Sequence, residues 1–528
     1  GRHHDAVLDA LLQPDCLQQA EKRAAALRRL DGPTTRLRQL CRQAEHAALL
    51  RGDLPFIHVR ADACEACDGS DRGIDLGKAF GSSAWNEMKK RLRALSARDM
   101  LHQAMLLRDT LSAAAPLHLR VAKTVPAAAT KSGRFQASAC MAAALDIGDQ
   151  LLASGLRDGE LLRYRQVQAD LHGKPVPMEL GTRLYDELAG IALFLGELHV
   201  HSGATRFLRG AERLLQTIRH ERRHAPREGE GLGGFSGLGG WAYTLAFLGL
   251  RWNRATLVEE ALALLPAIRL AIAADLHLNV VGGAAGALLV LCELDRIAPF
   301  HGALPAAQLC AAHLAVHARK DKRGAHWDCL DCDSMGAAFA PIGFARGNAG
   351  IAAALGRFGA HAGQEKYLIL AREAIRYERG ALALSGATAG AGWCCGTPGI
   401  GLGRLALPFE LRDEQWHIEV ERAVQQASAA ELGVMHTLGH GSLAELELLI
   451  AYAQQFPGKA QSHAVVRLAR DLHESGAAGW HSECGPGYTN HGFISGLAGI
   501  GYGLLRVAKP HHVAAVSLLE LPHQYGAL

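Results

Sequence analysis

A glycine-led motif recurs seven times along the chain, each time at the start of an apolar helical run. The last small residue of each motif is Gly190, Gly240, Gly286, Gly350, Gly399, Ala444 or Gly499. Successive motifs lie 45 to 64 residues apart, a period typical of stacked helix pairs. The repeat therefore predicts an all-α solenoid of seven helix pairs, in which a more polar helix follows each apolar one.

Closing this solenoid into a ring gives an α/α toroid whose apolar helices form the inner wall. Glycines at the helix starts then fit where the backbones approach too closely for side chains. All seven motifs would lie around one end of the ring, which we call the mouth. We predict a toroid over residues 157–528, preceded by a smaller, mainly helical segment at residues 1–156.

Composition narrows the class of protein. Hydrophobic residues make up 49% and charged residues 20% of the chain, and the net charge is only +4. These values suit a globular protein and give no reason to expect a nucleic-acid partner. The uncharged stretch Val280 to Cys292 is shorter than the roughly 20 residues that cross a bilayer, so we predict no membrane span.

The first residues and the cysteines indicate in which compartment of the cell the protein is found. The first residues show neither an initiator Met nor a basic-then-apolar secretory pattern, which indicates the interior of a longer protein. The 12 Cys follow no disulfide spacing framework and suit reduced thiols. We therefore predict a cytoplasmic protein. Within residues 1–156, the stretch 61–82 is rich in Asp, Gly, Ser and Cys and predicts a loop.

Thiol and imidazole groups occur in two neighbouring motifs, Trp393-Cys394-Cys395-Gly396 in the fifth repeat and Gly439-His440-Gly441 in the sixth. A closed ring would bring Cys394 and His440 together at the mouth, although 46 residues separate them. Thiolate and imidazole are the ligands that Zn²⁺ prefers. The alternative is that Cys394 packs beside Trp393 and that His440 caps its helix.

These motifs resemble those of the LanC-like lanthionine cyclases. The resemblance rests on Trp393-Cys394-Cys395-Gly396-Thr397-Pro398-Gly399, on His440-Gly441, and on Gly496-Leu497-Ala498-Gly499-Ile500-Gly501, and it covers roughly Leu184 to Val507. The stretch from Ala44 to Phe56 resembles the end of the dehydratase domain of class II (LanM-type) lanthipeptide synthetases. The resemblance thus assigns residues 1–156 to a dehydratase remnant and residues 157–528 to a cyclase domain.

The resemblance implies a chemistry and a substrate. Such a cyclase adds a peptide Cys thiolate to the β-carbon of dehydroalanine or dehydrobutyrine in a ribosomal precursor peptide of the lantibiotic type. Zinc held by two Cys and one His activates the thiol, and a nearby His handles the proton. We find neither a P-loop nor an H-R-D or D-F-G pattern for phosphoryl transfer in the chain.

Carrying the family's site residues over, the first zinc Cys falls on Cys394 and the zinc His on His440. Three further positions are altered. The second zinc Cys falls on Gly439, the acid/base His on Arg346, and the Asp that supports it on Asn279. Gly439 supplies no ligand. Arg346 stays protonated at neutral pH, so it cannot shuttle a proton, although its charge could stabilise an enolate.

Two nearby residues could replace the missing ligand. Cys395 directly follows Cys394, and His436 lies four residues before His440, the spacing that places two side chains on one helix face. Either would complete a three-ligand zinc site.

The sequence leaves three functions open. The chain is an active thioether-forming cyclase, a non-catalytic or decayed peptide-binding module of the same family, or another α/α-barrel enzyme such as a glycosidase. A glycosidase would need paired carboxylates at the mouth, for which the motifs offer Asp186, Glu187 and Glu445.

Overall fold

The computed structural model describes most of the 528 residues. The described ranges are 2–28, 36–69, 75–78, 80–94, 137–169, 175–224, 231–328, 342–385, 392–457, 462–476, 479–482 and 490–522, with the single positions 100, 103 and 107. The chain divides into two compact units, Gly1–Met105 and Leu106–Leu528.

The first unit is mainly helical, as predicted. Its described helices are α1 (Arg2–Leu11), α2 (Pro14–Gln18), α3 (Ala20–Arg28), α4 (Arg36–Leu50) and α5 (Ala84–Ala94). A small core of Val7, Leu11, Ala26, Leu27 and Leu49 holds α1, α3 and α4 together.

This unit also contains an antiparallel sheet of β1 (Ile57–Val59), β2 (Glu65–Asp68) and β3 (Asp75–Lys78), in that order. The prediction of a loop over residues 61–82 is therefore wrong where β2 and β3 lie. Both strands are short and polar. Strand β2 pairs with β1, which sets His58 opposite Cys67, and β3 pairs with β2, so the pairing fixes strands for which composition gives no signal.

The second unit holds the seven motif helices and their partners. The inner helices are α7 (Leu188–Ser202), α9 (Leu238–Arg251), α12 (Ala284–Ile297), α14 (Asn348–His361), α16 (Thr397–Leu405), α18 (Leu443–Gln455) and α20 (Leu497–Ala508). The outer helices are α6 (Ala137–Ser154), α8 (Thr205–His224), α10 (Ala255–Leu262), α11 (Leu265–Ile272), α13 (Ala303–Val316), α15 (Glu365–Ser385), α17 (Glu414–Ala429) and α19 (Ser462–Gly476).

Each outer helix packs on an inner helix, and the seventh pair is made from distant parts of the chain. Helix α6, which precedes the first motif, packs against α20, the inner helix of the last. The α-helices α6 and α20, which stand before the first and after the last motif loop, are thus neighbours. The predicted dehydratase remnant, residues 1–156, includes α6. Its assignment stays a prediction.

Three two-stranded antiparallel sheets lie between the helices in the described part of the second unit. They pair β4 (Leu156–Asp158) with β5 (Leu161–Arg163), β6 (Arg165–Ala169) with β7 (Pro175–Glu179), and β8 (Arg319–Asp321) with β9 (Gly324–His326). Short 3₁₀ helices occupy Phe409–Leu411 and Val516–Leu518.

The inner helices are buried on all sides, which explains their continuous apolar sequence. In α7, every residue from Leu188 to Leu198 is buried, Glu197 included. The motif glycines make room for the loop that leads into their own helix: a Cβ on Gly399 would overlap the carbonyl oxygen of Trp393, and one on Gly499 would overlap that of Phe493. Small residues therefore recur at this position for a steric reason.

The loops before the inner helices are joined into a closed ring of backbone hydrogen bonds. In each repeat the residue five positions before the motif's last small residue donates its N–H to the equivalent residue of a neighbouring repeat, over 2.8 to 3.4 Å. The order around the ring is Tyr185, Phe235, Val281, Ala345, Cys394, Gly439, Ile494 and back to Tyr185. The predicted α/α toroid is thus confirmed, with all seven motifs at one mouth.

Among the described residues, none of the helices is both long enough and apolar enough to cross a bilayer.

Candidate functional site

The mouth of the toroid carries one residue from each repeat at the position directly after the ring residue. These mouth residues are Asp186, Ser236, Gly282, Arg346, Cys395, His440 and Ser495. The ring thus gathers a carboxylate, hydroxyls, a guanidinium, a thiol and an imidazole from segments that are far apart in the sequence.

Cys394, Cys395 and His440 come together between the fifth and sixth repeats. The backbone N–H groups of Trp393 and Cys394 both donate to the carbonyl oxygen of Gly439, over 2.9 and 3.4 Å. The Cys395 sulfur accepts hydrogen bonds from the Cys394 thiol and from the His440 ring. Cys394 is buried, Cys395 is half-buried and His440 is exposed, so the three groups run from the interior to solvent.

These contacts favour the ionised form of Cys395. The hydrogen bond from Cys394 is the largest cause, followed by that from His440, and the charges of His440 and Arg346 add to them. Partial burial opposes the effect. Together they lower the pKa of the Cys395 thiol to about 5. The mouth therefore stabilises negative charge on sulfur.

Arg346 enters the same site from the fourth repeat. The preceding residue, Ala345, donates its N–H to the carbonyl oxygen of Cys394 over 3.3 Å. The loop is further held by Glu378, whose carboxylate accepts from Gly343 N–H at 3.0 Å and pairs with buried Arg404 at 2.9 Å. The half-buried guanidinium of Arg346 lies close enough to Cys395 to lower its pKa.

Asn279 lies in the loop of the third repeat and is fully buried. Its side-chain oxygen accepts from the N–H of Gly282 at 2.8 Å, which closes a turn just before α12. Its Nδ2 has no hydrogen-bond partner among the described atoms. The contact it makes orders its own loop.

His436 is buried and hydrogen-bonded to other residues. Its Nε2 donates to the Ser475 hydroxyl at 3.0 Å, and its Nδ1 accepts from the N–H of His481 at 3.2 Å. Burial lowers its pKa to about 4, so the ring is neutral at pH 7. Both ring nitrogens already have partners, whereas Cys395 is in contact with Cys394 and His440.

The donor set does not fit zinc in its present arrangement. Within the described ranges, no group of three or more His, Cys, Asp or Glu side chains could hold a metal ion. Gly439 supplies no thiolate where the resemblance requires one. Structural and catalytic zinc sites need at least three protein ligands around one point.

Of the three carboxylates that a glycosidase could use, two accept hydrogen bonds from neighbouring residues and the third is buried in a helix. Asp186 accepts from the N–H groups of Ile494 and Ser495 at 3.0 and 2.9 Å and from the Ser495 hydroxyl. Glu187 accepts from the N–H of Arg183 at 2.7 Å. Glu445 is buried in α18, and burial raises its pKa. Asp186 thus joins the first and seventh repeats.

The fold and the mouth together define a closed α/α toroid of seven repeats with a thiol, an imidazole and a guanidinium at one end. A family model described as lanthionine synthetase C-like protein matches residues 179–519, more than half of the chain. The chain belongs to the lanthionine synthetase C-like family. This membership favours a cyclase role over that of other α/α-barrel enzymes.

One solved structure supports the fold. Nisin cyclase is 16% identical with a TM-score of 0.51, and the match covers 64% of this chain and 92% of that one. An alpha-1,6-mannanase of Salegentibacter (12% identity, TM-score 0.32) covers 64% of this chain and 99% of its own. A D-mannose isomerase (13% identity, TM-score 0.33) covers 66% and 100%. Among curated proteins, none matches this chain in sequence.

Proposed function

We propose that this toroid closes thioether rings in a dehydrated precursor peptide of the lantibiotic type. The reaction joins a peptide Cys sulfur to the β-carbon of dehydroalanine or dehydrobutyrine. Family membership over residues 179–519 supports the reaction class. The observation that carries the proposal for this chain is that Arg346, Cys395 and His440 meet at one mouth although they belong to three repeats.

His440 moves the proton in this scheme. Its ring is exposed at the mouth, where a peptide thiol can reach it. The ring accepts the thiol proton, the sulfur forms a bond to the β-carbon, and the π electrons of the double bond move onto the carbonyl oxygen as an enolate. The proton then passes from His440 to the α-carbon. The reaction is therefore an isomerisation in which no proton is gained or lost.

Arg346 stabilises the enolate. Its guanidinium is positively charged throughout the pH range of the reaction and cannot act as an acid. A fixed positive charge beside the developing oxyanion stabilises the transition state more than the ground state. Arg346 thus stabilises the negative charge of the enolate, and His440 transfers the proton.

Cys394 and Cys395 position His440. The Cys395 sulfur accepts from the His440 ring and is itself held by Cys394. Zinc would activate the peptide thiol if it were bound, but the present donor set does not fit the ion, and the steps above use only the chain's own side chains.

The same proposal covers the residues that precede the toroid. We assign residues 1–156 to the tail of a class II dehydratase domain, on the resemblance of residues 44–56. A dehydratase must act first, because the cyclase needs a dehydrated Ser or Thr as electrophile.

A second candidate is a peptide-binding module without catalysis. Gly439 and Arg346 favour it, since each replaces a group that the family's chemistry uses. Such a module would bind the dehydrated peptide at the mouth and release it unchanged.

The test is a ring-closure assay with a peptide that carries one dehydroalanine and one Cys. Ring closure leaves the mass unchanged but removes the thiol, so unreacted peptide is counted by maleimide addition in the mass spectrum. We expect a rate above the uncatalysed background, with His440→Ala slower by about 100-fold. The matched control is His463→Ala, an exposed His on the outer helix α19.

Wild-type protein that binds the peptide but leaves the background rate unchanged would contradict catalysis and establish the second candidate. Equal rates for His440→Ala and wild type would contradict the role of His440 alone.

A further inference from the structure

The end of the described chain, residues 513–522, lies inside the toroid. Its residues Val513, Val516, Leu518, Leu519 and Leu521 are at most 3% exposed. We call residues 513–522 the C-terminal segment. It follows the last inner helix and lies outside the seven-fold repeat.

The C-terminal segment contacts six of the seven repeats from within. Hydroxyl, indole and guanidinium groups of the inner wall donate to its backbone carbonyls, and the Glu447 carboxylate accepts from its Ser517 hydroxyl at 2.7 Å. The donors are Tyr243, Arg296, Arg357, Trp393 and Tyr502. Because these residues come from different repeats, the segment connects parts of the inner wall across the ring.

This segment also completes the layer directly beneath the mouth. Six repeats place an apolar side chain there, one residue before the ring residue: Leu184, Val280, Phe344, Trp393, Leu438 and Phe493. The second repeat has Gly234 at this position. A Cβ on Gly234 would collide with the side chain of Leu519, so Leu519 fills the space that the second repeat leaves.

Trp393 links the C-terminal segment to the site. Its indole is fully buried, packs on Phe235 with ring centres 5.1 Å apart, and donates its N–H to the carbonyl oxygen of Ser517 at 3.1 Å. Its backbone N–H donates to Gly439 at 2.9 Å. Cys394 is the next residue. The indole is thus fixed on the C-terminal segment and the backbone on the sixth repeat.

We propose that the C-terminal segment is the internal floor of the mouth, and that Trp393, held by the Ser517 carbonyl, is a positioning residue for the Cys394–Cys395 loop. The consequence for ring closure rests on the proposed function, but the positioning itself does not. Losing the indole N–H would leave a buried carbonyl without its donor. The loop would then open more often.

The experiment compares three buried tryptophans, each of which donates its indole N–H to a backbone carbonyl. Trp393→Phe removes the contact to Ser517. The matched controls are Trp327→Phe, which removes a contact to Leu314, and Trp416→Phe, which removes one to Arg404, both at 2.7 Å. All variants are made in a Cys395→Ser background, so that modification of Cys395 cannot shield Cys394.

The readout is the rate at which iodoacetamide alkylates Cys394, followed by peptide mass spectrometry at one pH. We expect Trp393→Phe to raise this rate about fivefold to tenfold, because the open population of the loop grows when one buried hydrogen bond is lost. The two control variants should leave it unchanged. Cys140 and Cys310, buried on outer helices, should stay protected in all of them.

An unchanged Cys394 rate in Trp393→Phe, with Cys140 and Cys310 protected, overturns the proposal. If Trp393→Phe exposes Cys140 and Cys310 as well, Leu519→Ala replaces it and the same outcomes apply. Since the readout needs no substrate, a wild-type protein without ring closure would contradict the proposed function and leave this result standing.

Discussion

The backbone N–H of Cys394 donates to the carbonyl oxygen of Gly439 over 3.4 Å, which places the fifth and sixth repeats side by side at the mouth. These two residues are equivalent positions of the repeat. The other six ring positions all carry a side chain, so the backbone conformation at Gly439 suits an L-residue. Position 439 therefore lacks the thiol side chain but keeps a backbone conformation that a Cys could adopt.

Restoring the thiol should create a metal site. We expect Gly439→Cys to bind about one zinc per chain, with an affinity at least about 100-fold above that of wild type, because a first ligand contributes more than a supporting contact. Elemental analysis after dialysis against a weak chelator measures the metal. Gly439→Ser, of similar size without a thiolate, is the control. Equal zinc in the Cys and Ser variants would show that position 439 does not face Cys394 and His440.

Arg346 should act through its charge. Arg346→Met should slow ring closure above background by about 100-fold, the usual cost of one oxyanion donor, whereas Arg346→Lys keeps the charge and should lose less. Initial rates with the single-dehydroalanine peptide decide this. Should the Met and Lys variants prove equally slow, the planar guanidinium and not its charge would be required.

Two buried histidines predict a loss of stability in acid. Burial lowers the pKa of His436 and of His491 to about 4, against about 6.5 unfolded. Below pH 6.5 the unfolded chain binds protons that the folded chain does not, so stability is full above pH 6.5 and falls as the pH drops toward 4. Each group contributes about 3 kcal/mol over this window.

The measurement is the urea midpoint from pH 7.5 to 4.5. His436→Gln should flatten the pH dependence by up to one proton, whereas His463→Gln, at an exposed position, should leave the slope as it is. A slope that is the same in His436→Gln and wild type would show that His436 does not stay neutral in the folded state.

The sequence predicts the ring well because its signal is local and repeated. Each inner helix begins one or two residues before the motif's last small residue, as Leu188 does before Gly190 and Thr397 before Gly399. The equivalence of repeats then locates Arg346, Cys395 and His440 at one mouth without any long-range information. Gly439 and Arg346 are recognised as altered site residues for the same reason, because the position of a residue within its repeat determines which groups it lies beside.

Contacts that lie outside the repeat could not be predicted. The four-residue spacing of His436 and His440 suggests one helix face only if the segment is helical, and α18 begins later, at Leu443. The packing of α6 on α20 joins the two ends of a long stretch of chain. The C-terminal segment shows an apolar run, but nothing in that run indicates that it enters the ring.

The packing of Leu519 against Gly234 predicts that their substitutions are coupled. Leu519 is fully buried, so Leu519→Ala should lower the free energy of unfolding by about 2–5 kcal/mol. Gly234→Ala should cost about 1–3 kcal/mol, because the new methyl group collides with Leu519.

In the double variant the new methyl group enters space that the shortened side chain has left. The combined cost should therefore fall short of the sum of the single costs by about 1 kcal/mol or more. Urea unfolding of the four proteins measures this difference. In the control cycle, Leu472→Ala in the buried face of α19 replaces Leu519→Ala. Its cost in the free energy of unfolding should simply add to that of Gly234→Ala. Additive costs for Gly234 and Leu519 would mean that the C-terminal segment does not fill the gap in the second repeat.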